Sequence, residues 1–205
     1  MKTILIASQK GGAGKTTISK NLAVAATAEG ARVIMFDMDP QRSLRDWYEQ
    51  RKAEQPVMPG RDPGPKELKA SIAAAAEHGF DYLFIDTPPA SDAWLSDAMK
   101  LADLVVIPVR PSPTDLRAVR ATLKSAREAQ ADFCFFLSQT TRTKMTDEAA
   151  RVLAEHGRLA SVNLAFRIIH AETDATGRSV IEGGDAKAKD ELSRAWVFVK
   201  DQING

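Results

Sequence analysis

Two lysines, three glycines and two hydroxyls fall within the eight residues Lys10-Gly11-Gly12-Ala13-Gly14-Lys15-Thr16-Thr17. That combination can hold a chain of phosphates. Glycines let backbone N–H groups close around phosphate oxygens without side-chain clash. Lys15 can reach the β- and γ-phosphates, and the Thr16 hydroxyl can hold Mg²⁺. The run follows the phosphate-binding pattern G-x-x-x-x-G-K-[ST] at Gly14, Lys15 and Thr16, but Gln9 stands where the pattern has its first glycine. It is a variant, K-G-G-x-G-K-[ST], with an additional lysine, Lys10, at its start. Gly11 through Thr17 form the expected nucleotide-binding set.

Carboxylates recur at the ends of apolar runs. Phe84-Ile85-Asp86-Thr87-Pro88-Pro89 has the form of a Walker B strand, with Asp86 reaching Mg²⁺ directly or through water. Asp37-Met38-Asp39-Pro40-Gln41 follows another apolar run. Acids at the end of a buried strand are costly unless they face a ligand, a metal or water, or cap the next helix. Ile107 to Asp115 contains Arg110-Pro111 and Ser112-Pro113, steps that hold an extended path. Arg110 there is either a phosphate or interface contact or a solvated side chain.

The elements needed to position these groups alternate between strand and helix. Thr3–Ala7 reads as a buried strand entering the loop, and Thr17–Ala28 as a helix whose N-terminal dipole faces the phosphates. Further strands are expected at 32–36, 82–85, 104–109, 133–137 and, last, 162–169, with a short one at Val57-Met58. Helices are expected over 43–54, 66–78, 115–130, 146–156 and 185–202. This alternation predicts an α/β fold, a mostly parallel sheet with helices on both faces, in a single domain over 1–205. With a strand expected from residue 2, no preceding DNA-reading domain is expected.

The 205 residues suffice for a substantial core, and the net charge of +1 does not by itself point to nucleic acid or membrane. The lone Cys134 lies in an apolar run and reads as a buried thiol in a reducing compartment. No apolar run approaches the roughly 20 residues of a membrane span, and the start does not resemble a signal peptide, so a cytoplasmic protein is expected. His78, His156 and His170 are too widely spaced to suggest a transition-metal site. Trp47 and Tyr48 read as core. The apolar stretch 195–200 reads as a packed terminal helix because it lacks the basic face of a membrane-surface helix.

The loop with its early lysine, the D-x-D-P-Q segment at Asp37–Gln41, the D-x-P-P segment at Asp86–Pro89 and the G-x-S-V segment at Gly177–Val180 together resemble the ParA/MinD family of deviant Walker A ATPases, in particular its short ParA-type members. The resemblance is strong from residue 2 to about 120. It implies ATP and Mg²⁺ as cofactors and an ATP-dependent homodimer in which Lys10 contacts the partner's nucleotide. Lys10, Lys15 and Asp39 would be catalytic, Asp39 orienting the attacking water. Thr16, Asp37 and Asp86 would hold the metal. The resemblance further implies non-specific DNA binding on the nucleoid and a ParB-like or other adaptor that stimulates hydrolysis. The cargo would be a plasmid, chromosome or protein cluster. The C-terminal half supplies Arg142, Lys144, Arg151 and Arg158 as candidate DNA contacts, or equally a solvated helix face. The competing readings are a MinD-like membrane-associated regulator and a P-loop small-molecule ligase or kinase.

Overall fold

The apolar runs become parallel strands in a computed structural model that describes residues 1–89 and 93–204. They are β1 (Lys2–Ile6), β2 (Val33–Asp37), β3 (Tyr82–Asp86), β4 (Leu104–Val109), β5 (Phe133–Leu137) and the short β6 (Arg158–Leu159). The sheet order is β2-β3-β1-β4-β5-β6, and every pairing is parallel. Side chains alternate across the sheet, so each strand feeds two cores. Ile4 and Ile6 of β1, Phe84 of β3, Val106 of β4 and Phe136 of β5 enter one core. Leu5, Ile85, Val105, Ile107 and Phe135 enter the other. Burial on both faces explains why the strands read as continuous apolar runs rather than as alternating ones.

Among the described residues, eight helices cover the faces: α1 (Lys15–Ala28), α2 (Ser43–Glu49), α3 (Leu68–Glu77), α4 (Ala93–Met99), α5 (Pro113–Glu128), α6 (Lys144–Ala154), α7 (Ile169–Asp174) and α8 (Ala186–Asn204). Helices α1, α2 and α8 pack on the first core and α3 to α6 on the second. The connection after β1 therefore leaves to one face, and those after its neighbours β3 and β4 leave to the other. Such a reversal opens a crevice at the carboxyl ends of the strands, where parallel α/β sheets bind ligands.

Three expectations need correction. The last strand does not span 162–169. Val162 and Leu164 are buried in the first core, which produces a strand-like alternation. The segment bonds to the last residue of β5 through Leu164 N–H to Leu137 O (2.9 Å), but it forms only an isolated bridge, between Ala165 and Thr140. The true edge strand starts earlier, at Arg158, and Ile169 already opens α7. The helix expected to reach residue 54 stops at Glu49. There the Arg51 guanidinium turns back to Gln55 O, Gly177 O and Glu182. Val57 makes a single bridge to Ile34 rather than a short strand. Helix α4 has no counterpart among the expected helices.

The closing helix is packed as expected. Leu192, Trp196 and Val199 are buried against α1, and Trp196 Nε1 donates to Glu29 at 3.0 Å. Trp47 and Cys134 are core residues, and burial pushes the Cys134 thiol up to about 12. Among the described residues, no helix is long and apolar enough to cross a membrane.

Candidate functional site

β1 delivers the chain to the phosphate loop at the centre of the carboxyl edge. Gly12 (φ +71°) and Gly14 (φ +89°) take left-handed conformations that side chains rarely adopt. Gly14 ends the loop directly before α1, whose first turn has no side-chain cap and no acidic residue. Its free amides suit an external anion. By contrast, Ser112 caps α5 internally by accepting from Asp115 N–H at 3.1 Å.

Other elements hold the loop from outside. Ser138 Oγ donates to Ala13 O at 2.7 Å, and Gln139 Nε2 to Gly12 O at 2.7 Å. Gln9 N–H donates to Thr122 Oγ1 at 3.3 Å. Sequence reasoning missed Ser138, Gln139 and Thr122. Ser138-Gln139 follows a buried strand at the carboxyl edge, so the rule that singled out the two aspartate segments applies to it equally.

The loop borders a cleft of about 440 Å³ that Lys15, Thr16, Asp39 and Gln41 also line. Lys10 is half-buried at the loop's start and is not among the described residues lining this cleft. Burial lowers the Lys15 pKa, against the attraction of Asp86 and Asp39. Thr16 Oγ1 donates to Asp86 Oδ2 at 2.6 Å. Asp86 Oδ1 is buried with no hydrogen-bond partner. Burial raises the Asp86 carboxyl to about 7, the Thr16 hydrogen bond acting in the opposite direction.

An orphaned carboxylate oxygen beside a hydroxyl fits a hard, oxygen-seeking cation such as Mg²⁺. The described residues contain no cluster of three His, Cys, Asp or Glu able to cage a metal.

Asp37 and Asp39 shape the loop after β2. Asp37 Oδ1 accepts from Asp39 N–H at 3.0 Å, and its Oδ2 accepts from Arg45 N–H at 2.9 Å in the first turn of α2. Burial raises the Asp37 pKa, and these backbone bonds oppose the rise. Asp39 Oδ1 accepts from Gln41 N–H at 2.9 Å. Asp37 thus organises the loop, while Asp39 is half-buried at the cleft.

A second cavity of about 330 Å³ adjoins Gly14, Thr17 and Ile18. Leu164, Phe166, Ile168 and His170 line it from the segment expected to be the last strand and the start of α7. Phe166 and Ile168 are 66% and 71% exposed at its rim. Helix α7 is tied to α1 by an ion pair between Lys20 and Asp174, both of which line the phosphate cleft. Lys20 is almost fully buried, which lowers its pKa although Asp174 raises it. Lys20 lies one turn beyond Thr16, the only signal that pointed toward it.

The G-x-S-V segment has a mechanical role. A Cβ on Gly177 would sit 2.3 Å from Arg51 N. Ser179 caps the 3-10 turn Val180–Glu182 in a reciprocal box with Glu182, and its hydroxyl donates to Asn21 of α1 at 2.6 Å. Arg110 forms a pair with Asp115 (2.9 Å) next to Gly12. Arg142, Lys144, Arg151 and Arg158 are all exposed. Arg142 and Lys144 precede or open α6 and Arg158 starts β6, so they spread along the whole helix, about 16 Å at 1.5 Å per residue. Asp147, Glu148 and Glu155 are exposed among them.

Residues 4–169 match the profile of the CobQ/CobB/MinD/ParA nucleotide-binding domain. The chain is 30% identical to maintenance of carboxysome distribution protein A of Halothiobacillus neapolitanus, over 94% of this chain and 93% of that one. Its fold is that of MinD in the MinC:MinD cell division complex of Aquifex aeolicus, with a TM-score of 0.81 and 15% identity over 98% and 96% of the two chains. It is also that of the septum site-determining protein MinD of Pyrococcus horikoshii OT3 solved with Mg-ADP, with a TM-score of 0.79 and 19% identity over 100% and 97%.

Proposed function

This chain belongs to the CobQ/CobB/MinD/ParA nucleotide-binding family, and on that premise we propose that it is an ATP hydrolase of the ParA type. The observation that carries the reading is the Thr16–Asp86 pair with its unpartnered Asp86 Oδ1, placed under a glycine loop at an uncapped helix start. The β- and γ-phosphates of ATP sit in the cleft on the amides of Gly11 to Thr17, with Lys15 against them. Thr16 and Asp86 would hold Mg²⁺, which would supply charge neutralisation at the phosphates. Asp37 fixes the loop that carries Asp39, and Asp39 orients the attacking water. The base occupies the second cavity, which Phe166 lines. Mg-ADP in the Pyrococcus structure supports the choice of cofactors.

Lys10 starts the loop and is not among the described residues lining the cleft of its own chain, which suits a side chain that reaches the partner's nucleotide in an ATP-dependent homodimer. The full-length relative is named for maintaining carboxysome distribution. We therefore read the hydrolysis cycle as positioning a plasmid, chromosome or protein-cluster cargo. The ATP dimer binds DNA without sequence preference, which places it on the nucleoid in the cytoplasm. A ParB-like or other adaptor releases it by stimulating hydrolysis. Leu192, Trp196 and Val199 of α8 are buried in the core shared with α1, and Val197 is the large apolar side chain of this helix that is exposed, which disfavours the MinD-like alternative.

Fluorescence anisotropy of an unrelated labelled duplex tests the reading. With Mg-ATP the affinity is expected to exceed that with Mg-ADP and to fall steeply with salt. Equal weak binding with both nucleotides contradicts it.

A further inference from the structure

We infer that the outer face of α5 is the surface that docks on the phosphate backbone of duplex DNA, a surface distinct from the basic residues around α6. The inference rests on the DNA-binding reading above and assigns it a place. Arg117, Arg120, Lys124 and Arg127 are all exposed. At 100° per residue they fall within an arc of about 80°, on a row about 15 Å long. Val119, Thr122, Leu123 and Ala126 occupy the opposite, buried side. One salt bridge touches the row among the described residues, Lys124 to Glu128 at 3.8 Å, and both partners are well exposed. The remaining acid of the helix, Asp115, is buried and paired with Arg110. The row is therefore four positive charges with a single exposed acid at its edge.

Charge complementarity selects the occupant. Duplex DNA presents about one negative charge per 1.7 Å of axis, so a straight cationic row of this length can meet several phosphates at once. Three of the four cations are guanidinium forks suited to phosphate oxygens. The large apolar side chains exposed on the described surface are Met145, Phe166, Ile168 and Val197, none of them on this helix. A protein interface ordinarily needs such anchors, and a polyanion does not. Around α6, the basic residues alternate with Asp147, Glu148 and Glu155, which weakens the field there.

The placement also gives the nucleotide a route to this face. Thr122, on the inner side of α5, accepts from Gln9 N–H at the root of the phosphate loop. Arg110, just before α5, stands 3.6 Å from where a Cβ on Gly12 would lie. These contacts connect the phosphate loop to the helix that carries the row.

The test compares R117A/R120A/K124A/R127A with R142A/K144A/R151A/R158A, using anisotropy of a labelled duplex with Mg-ATP across a salt series. Thermal unfolding midpoints verify folding, and R117K/R120K/R127K serves as the charge-preserving control. The α5 alanine variant should bind at least tenfold more weakly at about 100 mM salt. Its log–log salt slope should be shallower by about 3 to 4 per chain, at roughly 0.9 for each phosphate no longer neutralised. The lysine variant should retain the wild-type slope. Normal binding by the α5 variant together with loss in the α6 variant would overturn the assignment and leave the functional reading standing. Absence of duplex binding by the wild type under every nucleotide condition would remove the DNA reading and this assignment with it. Stronger α5-dependent binding to polyglutamate than to duplex would identify an acidic protein as the occupant and overturn the proposal.

Discussion

Replacing Asp86 with Asn should make the nucleotide-free protein more stable at high pH while abolishing its use of Mg²⁺. Burial raises the Asp86 carboxyl from 3.8 to about 7 in the native state. The native protein therefore binds more protons than the unfolded chain between about pH 4 and pH 7, so its stability falls as pH rises through that window and levels off above it. At 1.36 kcal/mol per pKa unit, ionising this carboxyl costs on the order of 4 kcal/mol at pH 8 and about 1.5 kcal/mol at pH 5. Asparagine keeps an oxygen for the Thr16 hydroxyl and puts an amide where Oδ1 has no partner. An unsatisfied amide costs about 1–3 kcal/mol at any pH, so the difference between the two pH values isolates the charge. Urea unfolding without nucleotide should show Asp86→Asn gaining about 2–3 kcal/mol on the wild type between pH 5 and pH 8. Identical pH profiles would refute a buried, metal-seeking carboxylate. For the wild type, Mg-nucleotide affinity should rise with pH up to about 7, since the cation must displace that proton.

Lys15→Ala should abolish ATP binding, measured by titration with a fluorescent ATP analogue, because Lys15 belongs to the loop itself whereas the other lysine lining the cleft, Lys20, is paired with Asp174; wild-type affinity would refute the loop assignment. Phe166→Ala should weaken ATP binding roughly tenfold, since stacking a base on an aromatic ring contributes about 1–3 kcal/mol. Its unfolding midpoint should stay unchanged because the side chain is 66% exposed; an unaltered affinity would place the base elsewhere. Gly177→Ala should cost at least about 2 kcal/mol in denaturant unfolding, as the new methyl meets the Arg51 backbone and φ is +64°; a loss under about 0.5 kcal/mol would mean that the α2 turn yields freely.

The phosphate loop, both aspartate segments and the strand preceding each were legible because each is local: a glycine pattern, or an acid after an apolar run. The sheet was legible because strands buried on both faces have a strong signature. Other features depended on distant partners. Val162 and Leu164 alternate like a strand, yet whether that segment pairs depends on what lies beside β5. The end of α2 is set by Gly177 and Glu182, more than 120 residues away in sequence. Lys20 and Asp174 meet across 154 positions, and a buried lysine is not an expectation that composition raises. The row on α5 is visible in the sequence at positions 117, 120, 124 and 127, but only the fold shows that this side of the helix is bare and that Thr122 ties the other side to the phosphate loop.

Light scattering of Lys10→Ala and Asp39→Ala with Mg-ATP, alongside ATP turnover, tests the central claim most directly. The account holds that ATP joins two chains, that Lys10 acts across the junction and that Asp39 acts on water afterwards. Lys10→Ala should bind ATP, remain monomeric and lose stimulated hydrolysis, since trans-acting cations contribute roughly 10³–10⁵ in rate in the arginine-finger cases. Asp39→Ala should form a long-lived ATP dimer that does not turn over. A dimeric, fully active Lys10→Ala, or a monomeric Asp39→Ala, would contradict it.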